Sequence, residues 1–296
     1  MRQLEQSSKG EKNMLRSLYS GVSGLRGFQT KLDVIGNNIA NVNTVGYKKS
    51  RVTFQDLMSQ TTQGAMGPAG PEGARTRGGV NPMQVGTGSA LSSIDVIHTQ
   101  GFRETTNNPL DLQIEGDGYF MVDTPNGIAY TRAGNFYLDH EGFLVNANGY
   151  YVLNDAIDNT DVDDLSSYRI KIEDSQNNRP QSISIEKDGS IVIVTQNNVT
   201  ETLTQPIGLA VFSNPAGLEK MGENLYRATE NSGDPLVTQP ENNTAGSLIS
   251  GALEMSNVDL AEEFTEMITA QRGFQANTRI ITTSDEILQE LVNLKR

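Results

Sequence analysis

The hydrophobic period of this chain changes twice, and that change constrains the fold more than any other feature. Apolar residues recur at Leu15, Leu18, Val22, Leu25, Leu32 and Ile39, a three-four spacing that predicts an amphipathic helix. After Asn257 the spacing returns with Leu260, Phe264, Met267, Phe274, Ile281, Leu288 and Val292. Asp259, Glu262 and Glu263 stand at the start of that run and Lys295 and Arg296 at its end, which complements a helix dipole. Between the two runs the period is two: Leu110-Asp-Leu112-Gln-Ile114, Ile170-Lys-Ile172, Ile183-Ser-Ile185 and Ile191-Val-Ile193. Asn-Gly and Asp-Gly steps at 117, 126, 148 and 188 punctuate these runs, the pattern of antiparallel hairpins. The expected fold is therefore mixed α and β. The N- and C-terminal helices would form a coiled-coil-like core domain, and the middle an all-β antiparallel domain.

The boundaries follow from composition. Residues 14–58 hold the first helix and an Asn-rich stop, 59–97 a Gly/Pro-rich linker, 98–228 the β-domain, 229–254 a polar return linker and 255–296 the second helix. At about 1.5 Å per residue, helices of about 40 and 55 Å exceed the span of a domain of about 130 residues. Charge favours their pairing with each other rather than with the β-domain. Met14–Arg51 carries six basic residues and one acidic, Met255–Arg296 seven acidic and four basic. Opposite-sign helices with matching seams associate within a chain or between chains.

Several function classes are disfavoured. A net charge of −13 opposes binding to nucleic acid or an anionic membrane. Without Cys there is no disulfide, thiolate nucleophile or thiolate metal site. No apolar run approaches the roughly 20 residues that span a bilayer, so no direct membrane insertion is expected. The two histidines, His98 and His140, read as surface strand or turn residues, and Gly86-Thr-Gly88-Ser lacks the lysine of a phosphate loop. Asp158, Asp161, Asp163 and Asp164 miss the ligand spacing of a calcium loop, and the Gly triplets from Gly64 to Gly73 are too few for a collagen helix. The expectation is no catalytic residue, no metal and no cofactor. A secreted β-rich adhesin or binding module is the alternative of another class; the absence of Trp weakens it.

Two motifs are more specific. Leu32-Asp-Val-Ile-Gly-Asn-Asn-Ile-Ala-Asn-Val-Asn-Thr-Val-Gly-Tyr-Lys48 resembles the N-terminal signature of the bacterial flagellar rod and hook axial proteins. Ser256-Asn-Val-Asp-Leu260, Gln271-Arg-Gly-Phe-Gln-Ala-Asn277, Thr283-Ser-Asp-Glu286 and Leu291–Arg296 resemble its C-terminal counterpart, and Leu110–Phe120 and Ala129–Leu138 the family's β-domain. The signature positions carried over are Asn37, Asn38, Asn41, Thr44, Gly46, Gln271, Arg272, Phe274 and Asn277. Physically, the asparagines are poor helix formers whose amides bond backbone groups, and Gly46 permits positive φ, so this segment should end the helix and turn the chain.

The resemblance implies a non-enzymatic structural subunit that polymerises with itself through the heptad residues of both helices. It implies export through the flagellar type III apparatus without a cleaved signal peptide. Rod proteins, hook–filament junction proteins and the hook cap would be its neighbours. Leu32, Gly36 and Ile39, with the ending Leu291–Arg296, lean towards the short hook protein of Gram-positive bacteria, at the extracellular hook adjoining the basal body. The distal rod is the alternative within the family. Residues 1–13 have no counterpart there, and Lys9-Gly10-Glu11 is encodable as a ribosome-binding sequence, so Met14 is the expected start.

Overall fold

The ends with helical spacing are helices and the middle is sheet in the computed structural model. The structure describes residues 2–67, 78–156, 165–173, 180–195, 199–203, 205–242 and 244–294, with backbone alone for 2–15, 291 and 294. The Asp158–Asp164 cluster, Gly70, Gly73, Lys295, Arg296 and the Leu15 side chain lie outside the described residues. The chain divides into two units. The first is residues 1–37, 50–95 and 260–296; the second is 38–49 and 96–259.

The first unit is built on helices α1 (Arg2–Ala40) and α2 (Leu260–Leu294). Strand Ser50–Asp56 pairs with Ser89–Val96, and Gln60–Gln63 pairs with Met83–Val85 across the Gly/Pro-rich segment. The helices meet antiparallel. Ser17 lies 3.5 Å from Ser284 between hydroxyl oxygens, and Lys31 pairs with Glu266 at 3.0 Å. Between those ends the contact runs through glycines. A Cβ on Gly24 would lie 2.7 Å from Asn277 Nδ2, one on Gly21 3.3 Å from Ile281, and one on Gly273 2.6 Å from the Phe28 ring. Gly27 does the same towards the strands, its Cβ position being 2.9 Å from the Phe54 ring.

The expected coiled-coil core is not formed. A coiled coil buries its large apolar seam against the partner, but Leu260, Phe264, Phe274, Val292 and Val22 are exposed. The covered face of α2 is a small and polar line, with Glu263, Ala270 and Ser284 buried and Gly273 and Asn277 half-buried. Of the expected seam, Leu18, Leu25, Leu32, Ile39, Met267, Ile281 and Leu288 are part-covered. The physical reason is backbone approach. Glycines let two helices come close along the line they occupy, which turns that line inward and leaves the bulky residues on its flanks.

The second unit is all antiparallel β. Its centre is the hairpin Tyr119–Thr124 and Gly127–Thr131, with Phe120 opposite Thr131 and Thr124 opposite Gly127. The two-residue connection is Pro125-Asn126, and Gly127, which opens the second strand, has φ +111°, a conformation that favours glycine. Around it the sheet runs Glu219–Gly222, Leu225–Arg227, the hairpin, Tyr151–Val152, Leu144–Asn146 and Phe136–Leu138, with Leu209–Val211 also paired to Tyr119–Thr124. Ser182–Ile185, Ile191–Val194 and Thr200–Thr202 form a three-stranded sheet. The polar segment 229–254 supplies Leu236–Thr238, Ser247–Ser250 and Ala252–Glu254, paired to Leu209–Val211, Leu112–Glu115 and Arg103–Thr105.

Two apolar clusters flank the hairpin. Phe120 and Val122 point into the larger, with Leu112, Ile114, Phe136, Ile172 and Ile193. Tyr119 and Met121 point into the smaller, with Tyr130, Phe212 and Tyr226. A strand buried on both faces cannot show alternation, which is why Tyr119–Thr124 carries no period-two signal in the sequence.

The glycine line generates a test. Gly24→Leu places a side chain where Asn277 stands and should cost the first unit about 1–3 kcal/mol by overpacking. Amide hydrogen exchange should then lose protection along α1 and α2 while the hairpin amides keep theirs. Unchanged helix protection would show that the helices do not approach at Gly24.

Candidate functional site

The family signature divides between the units, and its N-terminal half builds a buried site in the second. α1 ends at Ala40, where the asparagine run begins to turn the chain. Asn38 is buried, and its Oδ1 accepts the Tyr47 hydroxyl at 3.2 Å; Asn41 Oδ1 accepts the Thr44 hydroxyl at 3.1 Å. Main-chain bonds Thr44 N to Asn41 O and Tyr47 N to Thr44 O continue the turn. Gly46 has φ +69°, and a Cβ there would lie 2.6 Å from the Ala133 nitrogen, so only glycine fits. Its own N–H donates to the Glu254 carbonyl at 2.8 Å. Asn37 is exposed at the end of the first unit.

Lys48, the next residue but one, is the largest fully buried side chain of the described residues. Its Nζ donates to Glu254 Oε1 at 2.5 Å and to the Thr99 carbonyl at 2.8 Å. The same carboxylate oxygen accepts the Gly101 N–H at 2.8 Å, and Oε2 accepts Arg132 Nη1 at 3.2 Å. Arg132 Nη2 reaches the Gly116 carbonyl, and its guanidinium lies 5.1 Å from the centre of the Tyr119 ring. Asn257 closes the other side: its Oδ1 accepts the Lys49 N–H at 2.7 Å and its Nδ2 donates to the Ile97 carbonyl. Lys220 Nζ donates to the Lys48 carbonyl at 3.0 Å and sits over the Tyr47 ring.

Burial pushes the Lys48 ammonium below the usual lysine range, against the pull of Glu254. Burial alone would raise the Glu254 carboxyl, but Arg132 and Lys48 outweigh it and hold the group below the usual range. His98 is packed here rather than on the surface: its Nδ1 meets the Tyr119 hydroxyl at 2.7 Å, while its Nε2 is buried without a hydrogen-bond partner. Burial, then Lys48, Arg132 and Lys220, pushes it down to about 4. Burial also raises Tyr119 to about 12. The neutral histidine and phenol are thus fixed states. Lys48, Arg132, Glu254 and Asn257 are bonded to one another and to main-chain groups, which is the arrangement of a structural joint. His140 is exposed. Among the described residues no group of three or more His, Asp or Glu is placed to hold a metal ion, and no helix is long and apolar enough to cross a membrane.

The C-terminal signature lies in the first unit from Leu260 onward, while Ser256–Asp259 belong to the second. Asn277 faces Gly24, whereas Gln271, Arg272 and Phe274 are exposed, with Arg272 Nη1 donating to Gln275 Oε1 at 3.4 Å. Sequence reasoning quoted Asn257 only as part of the C-terminal motif and missed Glu254 and Arg132. Their only signal was position, Glu254 two residues before the C-terminal motif and Arg132 inside the stretch resembling the family β-domain.

Two results should follow. Glu254→Gln strands two buried cations and should destabilise the second unit by about 3–5 kcal/mol in denaturant unfolding. Lys48→Met should cost less, because Arg132 and the Gly101 N–H still hold the carboxylate; the reverse order would show that Glu254 is not the hub. The folded unit also refuses the proton that an unfolded His98 accepts below pH 6.5. Stability should therefore be full above pH 6.5 and fall towards pH 4, by about 2–3 kcal/mol. His98→Gln should flatten that part of the profile, and a variant with the wild-type slope would refute the assignment.

Comparison with known proteins places these features. A family model described as "Flagella basal body rod protein" matches residues 18–48, "Flagellar hook protein FlgE/F/G D1 domain" matches 113–193, and "Flagellar basal body rod FlgEFG protein C-terminal" matches 249–294. The chain is 56% identical to the flagellar basal-body rod protein FlgG of Bacillus subtilis over 284 residues, covering 96% of this chain and all of the relative. It is 40% identical to FlgG of Borreliella burgdorferi, covering 96% and 100%, and 31% identical to the flagellar hook protein FlgE of that species, covering 95% and 100%. Lys48, Glu254 and Asn257 of the buried joint and the glycine line of the helix pair fall within the matched ends and Arg132 within the middle match, and the chain belongs to the flagellar basal-body rod and hook family, whose members are structural components of the flagellum.

Proposed function

We infer that this chain is a subunit of the distal rod of the flagellar basal body, which polymerises into a stiff shaft that carries motor torque outward. One observation carries the reading: the chain matches the B. subtilis basal-body rod protein over 96% of its own length and all of the relative's. Its alignment with the B. subtilis rod protein takes 284 positions, whereas that with the B. burgdorferi hook protein takes 447, which 296 residues fill only across long gaps. A hook protein of that size has mass this chain lacks. Leu32, Gly36 and Ile39, with the ending Leu291–Arg296, favour the hook reading, but these short stretches weigh less than agreement over 96% of the chain.

The charge distribution supports assembly through the first unit. The second unit holds 24 acidic and ten basic residues, net −14, while the first holds 12 and 13, net +1. Copies can stack first units without like-charge repulsion, and exposed apolar side chains there gain from being covered. Rod, hook and junction proteins are its neighbours in this reading, and the flagellar type III apparatus its exporter.

Imaging a deletion strain tests the assignment. Basal bodies isolated without this protein should end in a truncated rod. A rod complete to its tip but bearing no hook would overturn the rod in favour of the hook.

A further inference from the structure

One hairpin of the first unit is exposed along its whole described length. Leu57 N donates to the Gly88 carbonyl at 2.9 Å, Gln60 stands opposite Val85, Gln63 opposite Met83 and Met66 opposite Val80. Every residue from 57 to 67 and from 81 to 86 is nevertheless exposed, so main-chain bonds hold this ladder with no core beneath it. Three of the chain's nine methionines stand on it: Met58 is 89% exposed, Met66 57% and Met83 58%. The other described methionines are placed differently. Met121 is 1% exposed in the smaller cluster of the second unit, and Met255 and Met267 are part-covered. Met221 is 41% exposed on the edge strand Glu219–Gly222.

We propose that this hairpin is a reversible oxidation site, at which peroxides convert Met58, Met66 and Met83 to sulfoxides. The reaction belongs to the folded subunit and stands apart from the rod reading. Three observations select the site. Oxidation of a thioether follows access to its sulfur, and these three side chains are more exposed than any other described methionine. No thiol competes for the oxidant, because the chain has no Cys. A sulfoxide is polar and disrupts packing where the methionine was buried, but here it replaces side chains that already stand in water, so both units should keep their fold. With hydrogen peroxide, a sulfur lone pair attacks one peroxide oxygen, and an S–O bond forms as the O–O bond breaks. The departing hydroxide takes the proton of the transferred oxygen and leaves as water, so two electrons pass from sulfur to peroxide. A dithiol reverses the step: two thiols become a disulfide and the oxygen leaves as water. Among the described residues from 57 to 86, Leu57 and Val85 are the only other exposed large apolar side chains. Oxidation therefore turns most of the hairpin's apolar surface polar, and reduction restores it.

The test treats the purified, folded full-length protein with limiting hydrogen peroxide and follows each methionine by peptide mass spectrometry. Met58 should gain one oxygen first and Met66 and Met83 next, with Met221 after them and Met121 unmodified when Met58 is fully converted. In protein unfolded in guanidinium the order should vanish, which shows that exposure and not local sequence sets it. The oxidised protein should keep the unfolding midpoint of the untreated one, and methionine sulfoxide reductases supplied with a dithiol should remove the added oxygens. Met121, Met255 or Met267 gaining oxygen as fast as Met58 in the folded protein overturns the site. So do hairpin methionines that react only after unfolding, or a midpoint that falls before Met121 has reacted, because their side chains would then be packed.

Discussion

The Glu254 carboxylate is the point on which the second unit turns. Its two oxygens and its carbonyl hold Lys48, Gly101, Arg132 and Gly46, so stretches far apart in sequence converge on one residue. Buried ion pairs of this kind add little net stability, because desolvation offsets most of the Coulomb attraction. What they do is penalise every arrangement that leaves one partner alone. Lys48 and Glu254 lie 206 positions apart, so the loop that follows α1 has no low-energy place until the last strands of the β-unit are present. The asparagine turn, the Gly46 backbone and the Asn257 amide then add geometric precision around a charge cluster already limited to one partner set.

The first unit follows a different rule. Its helices meet where glycines on each face Asn277, Ile281 and the Phe28 ring, and bulky residues such as Phe264, Ile268 and Ile287 remain outside. Close backbone approach fixes the line of contact but contributes less hydrophobic stabilisation than a leucine seam would. The second unit has complete cores of its own. One unit thus has complete cores, and the other exposes apolar surface that no described residue of that unit covers. The charge partition matches: the unit with complete cores carries the acidic surplus and the unit with uncovered faces is almost neutral.

The sequence revealed these units unevenly. Alternation identified the edge-like strands, such as Ile183–Ile185 with Ile191–Ile193, because each buries one face; it was silent on Tyr119–Thr124, which buries two. The helices were legible from spacing, yet their contact line was not. Hydrophobic periodicity weights Leu and Phe and gives glycine no weight, so it selected a seam displaced from the true one. The signature residues Asn38, Asn41 and Gly46 do end the helix as their chemistry dictates. Their long-range partners were invisible, since no local pattern links Lys48 to Glu254 or Asn257 to Ile97.

Gly36 shows where reading a single chain stops. A glycine inside a helix costs about 1 kcal/mol relative to alanine, and at Gly24 and Gly27 that cost has an evident cause in a neighbour that a Cβ would strike. At Gly36 a Cβ would meet nothing within 4 Å. Neither the fold of α1 nor its contact with α2 requires glycine there. If the position has a steric reason, it belongs to an atom of another molecule. The same holds for the exposed Phe264 and Ile287, whose apolar surface gains little from the rest of the described chain.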